Sequence, residues 1–171
     1  HAGTYFQQAL EVARQLNDSA LLAQTLNRIG NWRYMSGEPF EGVLLHQEAL
    51  SIVEALNDPH ELASTLDLLG ISNYGFGDLL QGREYYERAI ALYRTLGERQ
   101  GLIACLCAYP ISSSSYMTST GVPAPVDLEE LIRREDEAVG IARQMGWRPN
   151  EAYALSFQVI SLGPHGEFQR A

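Results

Sequence analysis

The chain repeats itself at a step of 40 residues, and such a repeat narrows the possible architectures more than any single motif can. "IGNWRYMSGEPFEGVLLHQEALSIVEALND" (residues 29–58) lies over "LGISNYGFGDLLQGREYYERAIALYRTLGE" (residues 69–98) without a gap. Gly30 falls on Gly70, Tyr34 on Tyr74, Gly37 on Gly77, Gly42 on Gly82, Ala49 on Ala89 and Leu56 on Leu96. The same step carries Tyr5, Ala9, Val12 and Leu16 onto Leu45, Ala49, Ile52 and Leu56. Ala138, Ile141 and Met145 then match Ala89, Leu92 and Leu96 at a step of 49, so about nine residues have entered. They are expected in residues 112–127, "SSSSYMTSTGVPAPVD", rich in Ser, Thr, Gly and Pro. Ala152, Leu155, Gly166 and Glu167 lie 89 residues beyond Ala63, Leu66, Gly77 and Asp78. The array divides into a partial helix pair (1–18), a repeat (19–58), a second (59–98), a third with the insertion (99–147) and a partial repeat (148–171). It reads as a piece of a longer array.

Within each unit the apolar period is helical. Gly42, Leu45, Ala49, Ile52 and Leu56 step by three and four, as do Leu22, Leu26, Ile29 and Gly30. "SGEP", "NDPHE", "FGD" and "GER" punctuate the helices. Asp58, Pro59 and Glu61 predict an N-cap, a first-turn proline and a capping-box acid. Glu38, Asp78, Asp127 and Glu167 recur at the start of each second helix, where the helix dipole favours negative charge. Pro110 removes a helical hydrogen bond and predicts a kink or end there. With no alternating strand pattern, the fold class is all-α.

The glycines of "NYGFGDLLQGREYY" (residues 73–86) raise the question of a phosphate loop. Their repetition answers it: Gly77 and Gly82 recur as Gly37 and Gly42 in "SGEPFEG". One of each pair suits a tight turn, where positive φ is cheap, and the other suits a close approach of two helix backbones. A phosphate loop needs a preceding strand and usually a following Lys with Ser or Thr, and neither is present. No cofactor is predicted.

Charge and composition exclude further classes. Twelve Arg and Lys against 21 Asp and Glu give a net charge of −9, which offers nothing to nucleic-acid phosphates or an anionic membrane. No apolar run approaches the roughly 20 residues that span a bilayer. Cys105 and Cys107, two apart on a helix, point to different faces and predict buried free thiols in a reducing, cytoplasmic setting. His46, His60 and His165 share no spacing that would build a metal cluster or a triad. The acids of residues 127–138 alternate with Arg133 and Arg134 as on a solvated face. Tyr85, Tyr86 and Tyr93 form a stripe at helical spacing, which predicts packing. The chain is expected not to be an enzyme.

The spacing resembles the tetratricopeptide repeat. Leu69-Gly70, Tyr74, Gly77-Asp78, Gly82 and Tyr86 to Ala89 meet its pattern, as do Gly30, Tyr34, Gly37-Glu38, Gly42 and Ala49 one unit earlier. In the third and fourth units Pro110 and Val159 replace the first-helix glycine. The longer step and "ALYRTLGERQG" look like repeats of large bacterial signalling proteins, maltose-regulator-type activators among them. The resemblance implies a right-handed superhelical solenoid of antiparallel helix pairs whose first helices line a concave groove. It implies a protein or peptide partner there, within a larger cytoplasmic regulator. Its alternative is a sensory module in which a small peptide or metabolite changes the superhelix. Carried over residue by residue, the groove positions are Gln24, Asn27, Asn31 and Tyr34, then Ser64, Asp67, Ile71 and Tyr74, with Arg28 at the edge. The i,i+4 amides of Asn27 and Asn31 would hold an extended backbone, and the two tyrosines would add aromatic contact. Self-association is expected through apolar faces of the terminal helices.

Overall fold

The computed structural model describes residues 2–113 and 127–162. They form eight α-helices and one short 3-10 segment: α1 (Ala2–Gln15), α2 (Ser19–Met35), α3 (Pro39–Leu56), α4 (Pro59–Phe76), α5 (Leu79–Leu96), α6 (Arg99–Ala108), the 3-10 segment (Tyr109–Ser113), α7 (Leu128–Met145) and α8 (Arg148–Leu162). There is no strand among the described residues, and no helix there is long and apolar enough to cross a membrane. Each 40-residue step of the sequence corresponds to two helices, and α4–α5 restates α2–α3.

Local chemistry sets the helix ends. Asp58 caps α4 by accepting from the amides of His60 and Glu61 at 3.0 and 3.2 Å, with Pro59 in the first turn. Asp78 and Asp127 cap α5 and α7 in the same way, and so does Asp18 at α2. Glu38 makes no capping bond; its carboxylate accepts from Arg33 at 2.5 Å. Gly37 and Gly77 turn the chain out of α2 and α4 at φ of 85° and 100°, a left-handed conformation that suits glycine. As Pro110 predicts, α6 stops at Ala108, and the chain tightens into the 3-10 segment. The insertion falls mostly on residues 114–126, and Glu167 falls on 163–171; both lie outside the described residues.

Every helix packs on its successor, and α2 on α4, α4 on α6 and α6 on α8 also touch. The other helices are tied by ion pairs: Arg14 to Glu48 (3.4 Å) joins α1 to α3, Arg88 to Glu54 (2.9 Å) joins α5 to α3, and Arg94 to Glu137 (2.7 Å) joins α5 to α7. Exposed pairs of this kind stabilise weakly, by roughly 0–1 kcal/mol each. The apolar core does most of the holding. Ala49 and Ala89 are fully buried, and Tyr85, Tyr86 and Tyr93 join the core as the stripe predicts. Leucine at position 89 is therefore expected to cost about 1–3 kcal/mol by overpacking. A lowered thermal midpoint of Ala89→Leu checks it; an unchanged melt contradicts the register.

The inner glycines let helices approach through their bare backbones. A Cβ on Gly42 would lie 2.9 Å from the Gly30 carbonyl, and one on Gly82 would meet the Gly70 carbonyl at 2.9 Å and the Tyr74 ring at 2.4 Å. On the other side of the same crossings the His46 ring lies on Gly30 and the Tyr86 ring on Gly70, with Cβ distances of 2.6 and 2.7 Å. The glycines are packing devices, as their repetition implies.

Candidate functional site

A cleft of about 310 Å³ opens between α2 and α4. Gln24, Asn27, Arg28 and Asn31 form one wall, and Glu61, Ser64 and Leu68 the other. The walls meet because α2 and α4 touch directly, each presenting one residue per turn. Gln24 Nε2 donates to Glu61 Oε1 at 2.7 Å and ties the walls together. Glu61 was expected to close a capping box; its carboxylate turns to the cleft instead. Arg28, Asn31 and Ser64 are exposed and offer a guanidinium, an amide and a hydroxyl at the surface.

Asn27 forms the floor. Its amide is 6% exposed: Nδ2 donates to Thr65 Oγ1 at 2.8 Å, and Oδ1 faces His46 Nδ1 at 3.0 Å. With Nδ2 given to Thr65, Oδ1 accepts from His46, whose Nδ1 then carries the proton. His46 Nε2 is left buried with no hydrogen-bond partner. Burial lowers the His46 pKa to about 4, so the ring is neutral at ordinary pH. Neutralising the ring by burial stabilises the fold above the unfolded value of 6.5 and costs it below. Stability is thus expected to fall as pH drops from 6.5 through 4, and a denaturant titration of His46→Phe against the parent over that window checks it.

The same arrangement recurs one step on. Asp67, Tyr86 and Cys105 stand 40 residues beyond Asn27, His46 and Thr65. The Cys105 thiol faces the Asp67 carboxyl where Thr65 faces the amide of Asn27, and Tyr86 lies close to the acid. Desolvation raises the Asp67 pKa to about 6 against a smaller lowering by the thiol. The two cysteines are buried and free, as expected.

The structure therefore brings Gln24, Asn27, Arg28, Asn31 and Ser64 together and separates the other groove candidates from them. Asp67 is turned towards Tyr86 and Cys105. Ile71 is half-buried against the core. Tyr34 is half-buried with its ring against the backbone at Gly75, where a Cβ would sit 2.5 Å away. Tyr74 corrects the expectation of aromatic contact area: it is 1% exposed and its hydroxyl donates to the Tyr109 carbonyl at 2.9 Å. The physical reason is the bare Gly82, whose missing side chain leaves the space this ring fills. Asn27 is placed in the cleft, but its amide is spent on Thr65 and His46, so Asn31 alone of the two keeps an open amide. Glu61 and Leu68 are the residues that sequence reasoning missed. They stand one turn either side of Ser64, at i−3 and i+4, and that spacing was the available signal. A scan against protein-family models and a search of curated proteins both find no match for the chain.

Proposed function

We propose that this chain is a non-catalytic module that binds an extended peptide or protein segment along the face formed by α2, α4, α6 and α8. The observation that carries the reading is the cleft itself: open polar groups of Arg28, Asn31 and Ser64 stand over a floor already satisfied by Thr65 and His46. Groups so arranged can give hydrogen bonds to a partner without first breaking internal ones. The touching series α2, α4, α6, α8 supports a right-handed tetratricopeptide-like solenoid with this face concave. A larger cytoplasmic regulator is the setting this reading gives the module. The surface bearing Tyr5 and Val12 of α1 and Leu16 just beyond it, all more than half exposed, is the one through which it would self-associate.

The test is an affinity comparison. A peptide selected from a display library against the intact chain is labelled and titrated by fluorescence anisotropy. The combined change Arg28→Ala and Asn31→Ala is expected to weaken it by about tenfold or more, corresponding to roughly 1.4 kcal/mol. Arg88→Ala, which opens only the surface pair with Glu54, is expected to leave it unchanged. Equal affinity for the parent and the double variant overturns the reading. The cleft volume of about 310 Å³ also suits a small ligand, the sensory alternative. In that case a metabolite-sized compound would bind and alter the small-angle scattering profile, whereas a docked peptide would leave the scaffold's shape nearly constant.

A further inference from the structure

The position that holds His46 in the first unit and Tyr86 in the second holds Glu135 in the third, 49 residues beyond Tyr86. The earlier two are rings lying on the bare glycines Gly30 and Gly70. At the third, Pro110 stands 40 residues beyond Gly70, and a carboxyl replaces the ring. Glu135 is 1% exposed, and neither of its oxygens has a hydrogen-bond partner. It lies where α6, α7 and α8 meet, since each of these helices packs on the other two.

No cation among the described residues faces it. From α6 it meets the Cys107 thiol, which burial keeps protonated, with a further push from the Glu135 charge. From α8 the Ser161 hydroxyl comes near enough to lower its pKa, although that hydroxyl's own hydrogen bond goes to the Phe157 carbonyl at 3.1 Å. Along α7 its neighbours are Asp136, which repels it and accepts from Gln158 at 3.3 Å, and Arg134. Arg134 is turned away: it donates to Glu130 and Glu87 at 2.5 and 2.7 Å and lies 3.8 Å over the Tyr109 ring. A carboxylate so placed would have lost its hydration for little compensation.

We propose that Glu135 makes the junction of α6, α7 and α8 responsive to pH: uncharged, it lets the three helices close, and ionised, it draws water into the junction and loosens α8. Burial raises its pKa from 4.5 to about 7, against a smaller lowering by Ser161. The folded state therefore holds the proton more tightly than an opened one. The stabilisation is complete below 4.5 and is lost as pH rises through 7. Because α8 carries the far end of the proposed binding face, the same titration would change what that end presents.

Amide hydrogen exchange on the intact chain tests this, with rates corrected for intrinsic pH dependence. Between about pH 6 and pH 8.5 the protection of α7 and α8 peptides is expected to fall by roughly tenfold, from the two pKa values, while α2 and α3, where His46 acts in the opposite direction, lose none. In Glu135→Gln, and in Glu135→Met as a second neutral variant, that pH-dependent loss is expected to vanish. A parent chain whose α7 and α8 protection is constant over this range overturns the proposal. So does the same tenfold loss persisting in whichever variant folds.

Discussion

Replacing Gly82 by alanine is expected to lower the stability of the chain by about 1–3 kcal/mol, although the same change in an open helix position gains up to about 1 kcal/mol. The new Cβ would lie 2.4 Å from the Tyr74 ring and 2.9 Å from the Gly70 carbonyl, closer than such atoms come. Neither neighbour can yield easily. The carbonyl belongs to the α4 backbone, and the ring is buried and tied by its hydroxyl to Tyr109. Gly140 provides the contrast, because a Cβ there meets nothing within 4 Å. Gly140→Ala is therefore expected to be neutral or to stabilise by up to about 1 kcal/mol. Chemical denaturation of both variants reads the difference, and equal midpoints would remove the close-approach account of the repeated glycines.

Removing the Tyr74 ring should cost more. Tyr74→Ala empties a site at the centre of the core, beside Tyr86 with ring centroids 5.2 Å apart, and is expected to cost about 3–5 kcal/mol. Tyr74→Phe keeps the ring and loses only the hydroxyl's bond to the Tyr109 carbonyl, which still accepts from Ser112 Oγ at 3.2 Å, at a cost of about 0.5–1.5 kcal/mol. The order of the two midpoints is the check: a phenylalanine variant as unstable as the alanine one would place the hydroxyl, and not the ring, at the centre of the site. This result separates two roles for one residue. A groove tyrosine would change binding and leave the melt alone.

The helices and their ends were legible because short-range chemistry determines them. Asp58 with Pro59, Asp78 and Asp127 start helices where the sequence pattern puts them, and Gly37 and Gly77 end them with positive φ. The glycine repetition also disclosed the helix crossings, since a residue without a side chain in a helix interior has few other uses. The candidate site was only partly legible. Helical spacing places Gln24, Asn27, Arg28 and Asn31 on one side of α2, but it does not say how far that side is rotated towards α4. The crossing sets that rotation. On α4 it turns Glu61, Ser64 and Leu68 to the cleft and Tyr74 to the core. The polar layers were hidden for a different reason. His46, Tyr86 and Glu135 share a register but no chemical type, and a comparison by residue type passes over them. Their common property is position, which only the packed helices make visible.

The proposed partner site on the face of α2 and α4 has a competing surface on the same chain. Phe40 and Phe76, each 49% exposed with ring centroids 5.2 Å apart, stand with Leu80 at the edge where α3, α4 and α5 turn. The decisive measurement is chemical-shift mapping by NMR of the labelled chain titrated with its selected peptide. Shifts are expected to concentrate on Gln24, Arg28, Asn31, Ser64 and Leu68. Shifts concentrated on Phe40, Phe76 and Leu80, with the cleft residues unmoved, would contradict it.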